Sequence, residues 1–186
     1  MSRDLDHLTI PTHIKAVEAQ RIFLEVTGHR LLVYYTLRTL DEQATLFRQS
    51  RSTAQINSKI DSLKDRGYDF LAEAFNRTKP CDGPWRTNAA PGETWHNYGE
   101  AIDAVPLVNG VEIWNLDEKV PEQKKQMDTL WLAYGDVVVY LGMTWGGNWK
   151  SKDNPHAQNR PQTNALTGSN PELVLERLEA AGCNVS

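Results

Sequence analysis

The chain has 186 residues, a formal net charge of −4 and the ordinary composition of a globular protein. A chain of this length buries roughly 70% of its unfolded surface and is expected to form one domain rather than two. The acidic balance and the lack of a Lys/Arg-rich run exclude nucleic acid as the main partner. No apolar run approaches the roughly 20 residues that a membrane-spanning helix needs.

The first predicted element is a helix over residues 11–27. Pro11 suits a first helical turn, and Ile14, Val17 and Leu24 recur at helical spacing and are expected to face the core. Gly28 is expected to end the helix.

A strand and a capped helix come next. The run "LLVYYTL" over 31–37 is rich in β-branched and aromatic residues and predicts a buried strand. Thr39 and Glu42 form a capping box, which predicts a helix from Leu40 to about Gln49. The later predicted elements are helical segments over 53–77 broken at Gly67, a loop over 79–85, a strand over 100–105, a helix from Pro121 to Gly142, a short strand with a Gly-Gly turn over 143–149, an irregular loop to about Gly168, and a last helix over 171–181.

The segment "DVVVY" over 136–140 fits either the end of the long helix or a strand, and periodicity leaves both open. Because helices and strands mix without regular alternation, the predicted class is α+β, with a small antiparallel sheet and surrounding helices in a single domain over 1–186.

The segment "TWHNYGEAIDAV" contains candidate chemistry. Gly99 allows a tight bend, so His96 can fold back over the start of the following strand. Side chains alternate along a strand, so Asp103 is expected to share a face with Ala101 and Val105. Small and apolar neighbours around an aspartate indicate a carboxylate that is held rigidly for a chemical role.

A second cluster lies in "KDNPHAQ". Asp153 precedes His156 by three residues, and Pro155 stiffens the intervening turn. An acid at this position can lie close to whatever His156 binds without binding it itself.

Two histidines and one aspartate make a three-ligand site with an open fourth position, as in catalytic zinc sites. Zinc lowers the pKa of its bound water to about 7, and Asp153 could pass that proton to a leaving amine. A capped turn and a buried, hydrogen-bonded histidine explain the same residues without a metal. Spacing alone therefore leaves both interpretations of His96, Asp103 and His156 open.

Three segments resemble those of a known family. "TWHNYGEAID" resembles the S-x-H-x-x-G-x-A-x-D segment of the M15 zinc peptidases, a family of D-alanyl-D-alanine carboxypeptidases and dipeptidases and of phage L-alanyl-D-glutamate endopeptidases. "WGGNWKSKDNPHAQ" is similar to the second segment of that family, and "LRTLDEQATLFRQSR" to its R-S-x-x-x-Q segment. The three segments occur in the order expected for the family and extend over residues from roughly 31 to 158, most of the chain. The resemblance implies the zinc-peptidase fold of the hedgehog and DD-peptidase type.

The resemblance also implies roles for individual residues. His96, Asp103 and His156 would hold a zinc ion, Asp153 would be the catalytic acid/base, and Arg38 would anchor a carbonyl or carboxylate of the substrate. An ordinary strand-end arginine paired with Asp41 is the alternative for Arg38. Further candidates for positioning the substrate are Gln43, Thr94, Trp95 and Trp149.

Two departures from the family pattern concern the substrate pocket. A helical insertion over about 52–80 is longer than the link expected in the small endopeptidases, and Ala157 stands where an aromatic residue often follows the last histidine. The substrate is therefore the least certain of the implied properties.

The implied function is a zinc-dependent peptidoglycan peptidase of the phage endolysin type that hydrolyses the L-Ala–D-Glu bond of peptide stems. A D-alanyl-D-alanine carboxypeptidase is the alternative within the family. A non-haem Fe(II) oxygenase and a non-catalytic zinc-binding module are the alternatives outside that chemistry.

We also expect the protein to be a monomer. Because no secretory signal is visible, we expect it to stay in the host cytoplasm until lysis. Its expected partners are peptidoglycan stem peptides. Cys81 and Cys183 are expected to be unrelated free thiols.

Overall fold

A computed structural model describes residues 2–183 and 185. The helices are α1 (Ile10–Thr27), α2 (Leu40–Arg48), α3 (Thr53–Asp65), α4 (Asp69–Arg77), α5 (Pro121–Tyr140) and α6 (Pro171–Ala180). The strands are β1 (Arg30–Tyr35), β2 (Ala101–Val108), β3 (Val111–Glu112), β4 (Thr144–Trp145) and β5 (His156–Gln158). Short 3₁₀ turns lie at Leu5–His7, Trp95–Tyr98, Ile113–Asn115 and Gly146–Asn148. This content confirms the predicted α+β class.

The chain forms two compact units. The sheet unit comprises Ser2–Thr36 and Glu100–Pro161, and the helical unit comprises Leu37–Gly99 and the described residues from Gln162 onward.

The sheet unit is built on an antiparallel sheet of strand order β1-β2-β5-β4, with β3 paired to β2. Helix α1 contacts α5 and β1, while α5 also contacts β2 and β4. Fully buried Phe23, Ile102 and Tyr134 lie in the core of this unit. The strand that carries Asp103 is therefore held on both edges and by helices.

The predicted apolar face of α1 is wrong. Ile14, Val17 and Leu24 are 56%, 42% and 48% exposed. The helix instead buries a different row of residues, which also recur at helical spacing and most of which have small side chains. They are Thr12, Ala16, Ala19 and Phe23. Small side chains let the helix approach its neighbours closely, and a hydrophobicity pattern gives them too little weight.

The open choice at 136–140 is decided in favour of the helix, since α5 continues unbroken to Tyr140. Along α5, Met127, Leu130, Trp131, Tyr134 and Val138 recur at helical spacing and are buried.

The irregular loop predicted up to Gly168 is wrong at one point. It contains strand β5, which pairs with β2 on one side and β4 on the other. The short hairpin strand β3 is a further element that the sequence pattern did not predict.

The helical unit begins with α2, whose capping box between Thr39 and Glu42 is confirmed by hydrogen bonds in both directions. The predicted helical insertion over 52–80 consists of α3 and α4, separated near Gly67 as expected. Helix α4 contacts both α2 and α3. The Tyr68 hydroxyl donates to the Ser169 carbonyl at 2.7 Å, which joins the insertion to the segment before α6.

Among the described residues, no helix combines the length and the apolar character that crossing a membrane requires. Cys81 and Cys183 are both free thiols, as predicted. The assignment of the whole chain to one catalytic domain stays a prediction.

Candidate active site

Asp103 and His156 lie directly opposite each other on neighbouring strands of the sheet unit. The register of β2 and β5 pairs them across the antiparallel ladder. Opposite residues on one sheet face are close neighbours, and the Nδ1 atom of His156 lies 3.3 Å from Oδ1 of Asp103. The His156 side chain is 8% exposed and the Asp103 side chain is 13% exposed. Strand pairing thus brings together two residues that are 53 positions apart in sequence.

The environment of His156 favours its protonated ring in the metal-free protein. Burial opposes the charge, but the hydrogen bond and charge of Asp103, the charge of Asp153 and the hydrogen bond of Gln158 outweigh it and raise the pKa of His156. A metal bound at Nδ1 would displace the proton from that nitrogen.

Asp153 is held at its place by the backbone of Gly146. The carbonyl of Gly146 accepts hydrogen bonds from the N–H groups of Asp153 and Trp149, both at 3.0 Å. A Cβ atom on Gly146 would lie 2.5 Å from the Asp153 carbonyl oxygen, so only glycine fits here. The side chain of Asp153 is exposed, which leaves it accessible to a substrate.

Trp145 and Tyr134 hold the rest of the turn before His156. The indole Nε1 of Trp145 donates to the Asn154 carbonyl at 2.8 Å, and the Tyr134 hydroxyl donates to the Pro155 carbonyl at 3.1 Å. Burial, then the charge of Asp103, raises the pKa of Tyr134 well above its ordinary value, so its hydroxyl stays a donor. Trp145 is itself a core residue, since it is 7% exposed.

Trp149 lies beside His156. The ring centroids are 5.1 Å apart, with an angle of 43° between the ring planes. The indole is half-buried, so part of its surface stays available for contact with a ligand.

His96 lies in the helical unit, in the 3₁₀ turn Trp95–Tyr98, and is 2% exposed. The Thr94 hydroxyl caps this turn by accepting the N–H of His96. Gly99 ends it in the left-handed region with φ of 63°, as expected for the predicted bend. The Nε1 atom of Trp95 donates to the Gln162 carbonyl at 2.5 Å, so this indole, 4% exposed, helps to hold the turn.

Arg38 is connected to the His96 turn through the backbone. Its N–H donates to the His96 carbonyl at 3.0 Å, and its own carbonyl accepts from the Asn97 side chain at 2.6 Å. The guanidinium donates to Oε1 of Gln43 at 3.0 Å, and Nε2 of Gln43 donates to the Ala89 carbonyl at 2.6 Å. Gln43 is fully buried, and its side chain orients that of Arg38. Asp41 pairs with Arg77 instead of Arg38, so the alternative for Arg38 is wrong.

Residue patterns missed several polar groups that hold the site. Asn97 is fully buried and also accepts from the Gly92 N–H at 2.9 Å. Glu93 accepts from Lys59 of the insertion and from the Ala90 N–H, both at 2.8 Å. Polar residues inside a segment that also carries the candidate histidine are the signal that could have identified them.

The chemistry of the donors fits a metal ion. Asp103 and His156, paired on β2 and β5, offer a carboxylate oxygen and an imidazole nitrogen, and His96 is a residue of the same ligand type in the other unit. Two imidazole nitrogens and one carboxylate oxygen suit zinc and other first-row divalent ions, and three protein ligands leave a coordination position open.

All three of these residues lie within a segment that matches a peptidase family. Residues 87–159 match the M15 peptidase family model described as D-alanyl-D-alanine carboxypeptidase. Over these residues the chain is similar to the M15 peptidases, a family of metallopeptidases, which confirms the predicted resemblance.

Individual proteins are similar as well. The peptidoglycan L-alanyl-D-glutamate endopeptidase CwlK of Bacillus subtilis (strain 168) is 34% identical over 113 residues, which are 58% of this chain and 66% of CwlK. The chain thus spans just under two thirds of the length of this relative. The crystal structure of Serratia marcescens L-Ala D-Glu endopeptidase ChiX is 19% identical, covers 83% of this chain and 81% of its own, and has a TM-score of 0.38.

Proposed function

We propose that the chain is a zinc-dependent peptidoglycan endopeptidase that hydrolyses the L-Ala–D-Glu bond of peptide stems. The observation that carries the proposal is the 34% identity to a relative named for that activity. The M15 family match over residues 87–159 supports the same class of reaction.

In this proposal His96, Asp103 and His156 hold the zinc ion. The opposed positions of Asp103 and His156 on β2 and β5 support their shared role. His96 follows from its place in the same matched segment, seven residues before Asp103. A bound zinc ion would supply a water whose pKa is lowered to about 7, which is the nucleophile that peptide hydrolysis at neutral pH needs.

The remaining chemistry falls to side chains of the chain itself. Asp153, exposed and fixed by the backbone of Gly146, takes the proton of the attacking water and delivers it to the leaving amine. Arg38, oriented by Gln43, presents a guanidinium to a carboxylate or developing oxyanion of the substrate. The half-exposed ring of Trp149 provides an apolar contact for the peptide stem. Thr94 and Trp95 act indirectly, because both serve to hold the His96 turn.

A second candidate is a D-alanyl-D-alanine carboxypeptidase. The family model that matches residues 87–159 is described as D-alanyl-D-alanine carboxypeptidase, which favours this activity. Arg38 does not separate the two activities, because a guanidinium can hold a terminal carboxylate or a D-glutamate carboxylate equally well.

Mass spectrometry of digested muropeptides distinguishes the two. Incubation of a purified pentapeptide muropeptide should release a peptide whose new N-terminus is D-glutamate or its amide. Release of D-alanine with the L-Ala–D-Glu bond intact would establish the carboxypeptidase instead.

The roles of the acid and the ligands are tested separately. Asp153→Asn should retain zinc and lose about 10²–10⁴-fold in turnover, because a general acid/base acts on the reaction path alone. Asp136→Asn, on the exposed side of α5, is the matched control and should be fully active. His96→Ala and His156→Ala should abolish tight zinc binding, and full zinc content in either would refute the ligand assignment.

We further propose that the protein acts as a monomer of one catalytic domain and resides in a host bacterial cytoplasm before it reaches the wall. Its partner there would be the peptide stem of peptidoglycan. Light scattering of the purified protein, and fractionation of expressing cells before and after lysis, test these two points.

A further inference from the structure

Gln158 and His156 lie on the same face of one short strand. Side chains two positions apart on a strand point to the same side of the sheet, and β5 spans only His156–Gln158. Oε1 of Gln158 lies 3.0 Å from Nε2 of His156, and Gln158 is 1% exposed. The second ring nitrogen of His156, Nδ1, faces Asp103.

The amide of Gln158 has a defined orientation. Its Nε2 group donates to the Arg160 carbonyl at 2.8 Å, and a carbonyl can only accept. The other end of the amide, Oε1, therefore faces His156 and accepts. Strands on both sides restrain the backbone of Gln158, which pairs with Ala101 on β2 and with Thr144 on β4.

We infer that Gln158 is a positioning residue that accepts the Nε2 proton of His156 and so leaves Nδ1, on the Asp103 side, as the nitrogen that binds a metal. The inference rests on the proposed function, in which His156 is a metal ligand. When one ring nitrogen of a histidine donates a hydrogen bond, the other nitrogen is left to bind a metal. Hydrogen bonds of this kind affect metal affinity. Gln158 thus acts through His156 and contacts no substrate.

Zinc affinity, measured by competition with a chelator, tests this role. Gln158→Met keeps the length of the side chain and removes the amide, and we expect the zinc dissociation constant to rise about 10–100-fold. Gln158→Glu keeps an oxygen for the Nε2 proton and should stay closer to the wild type. Gln20→Met is the matched control, because Gln20 makes one bond to the Leu31 carbonyl in the same unit and should keep wild-type affinity.

A spectroscopic measurement separates positioning from stability. In the ¹⁵N-labelled metal-free protein, the Nε2 proton of His156 should give a protected ring N–H signal in the wild type and in Gln158→Glu, and none in Gln158→Met. An unprotected Nε2 proton in the wild type, or unchanged zinc affinity in a folded Gln158→Met protein, would overturn the inference. Neither measurement uses peptidoglycan, so an inactive enzyme that still shows these effects would contradict the proposed substrate and not the role of Gln158.

Discussion

Replacement of Gly146 by alanine tests the way the Asp153 turn is held. Gly146 has no left-handed φ that would exclude alanine, so the whole effect comes from the added Cβ. That atom would lie 2.5 Å from the Asp153 carbonyl oxygen and 3.2 Å from the Cβ of His156. The obstacle is backbone, which cannot rotate away as the end of a flexible side chain can.

The size of the effect follows from these distances. Ordinary van der Waals contact begins at 3.4 Å, so the backbone of Asp153 must move by about 0.9 Å. Overpacking of this kind costs about 1–3 kcal/mol, and each kcal/mol lowers the Tm of a chain of this size by about 2–4 °C. Misplacement of a catalytic group by about 1 Å can cost about 10²-fold in rate, so kcat/KM should fall by about that factor.

The assay combines thermal unfolding with muropeptide hydrolysis well below the Tm of each protein. Gly110→Ala is the control, since its Cβ would meet no heavy atom within 4 Å while its φ of 82° costs alanine about 1–2 kcal/mol. It should lose a similar amount of stability and keep full activity. A Gly146→Ala protein that hydrolyses muropeptides like the wild type would refute the argument that this contact positions Asp153.

Two further predictions concern parts of the chain away from this turn. Lys59→Met removes the ion-pair partner of the 7% exposed Glu93 carboxylate and should lower the free energy of unfolding by about 1–3 kcal/mol in urea titrations. Lys124→Met, from an exposed i,i+4 pair, should change it by less than about 1 kcal/mol. Equal losses in both variants would contradict the role of the buried pair. Burial raises the pKa of the Cys183 thiol to about 11, so iodoacetamide at pH 8 should label the half-exposed Cys81 first; peptide mapping that finds Cys183 modified at the same rate would contradict this order.

Local patterns predicted those elements whose residues carry their own signals. The capping box of α2 lies within four residues and needs no tertiary information. The prediction of the buried face of α1 failed because this face consists mostly of alanine and threonine. Close packing of the helix there depends on the small size of the side chains and not on their hydrophobicity. Ile14 and Leu24 were assigned to the buried face because they are apolar, but they are exposed, and apolar residues are common on protein surfaces.

For the candidate site, too, local signals predicted some features, whereas features that depend on distant strand pairing were not predicted. His96, Asp103 and His156 were recognisable from residue types and from family resemblance, yet the strand that carries His156 was not predicted. A three-residue strand with one apolar side chain, Ala157, has no local period, and its identity depends on pairing with β2, far away in sequence. For the same reason the partners of Gln158 could not be inferred from the segment alone.

The ring of Trp145 has a consequence for how this sequence can vary. Added Cβ atoms at Gly135 on α5 and at Gly147 would each meet this ring, on different carbon atoms. The three positions are therefore coupled, and their substitution energies should not add. Alanine at either glycine becomes acceptable only when position 145 carries a smaller side chain, and that exchange also removes the indole donor that restrains Asn154. A library that varies these positions one at a time would score all three as intolerant, whereas one that varies them together would recover functional combinations.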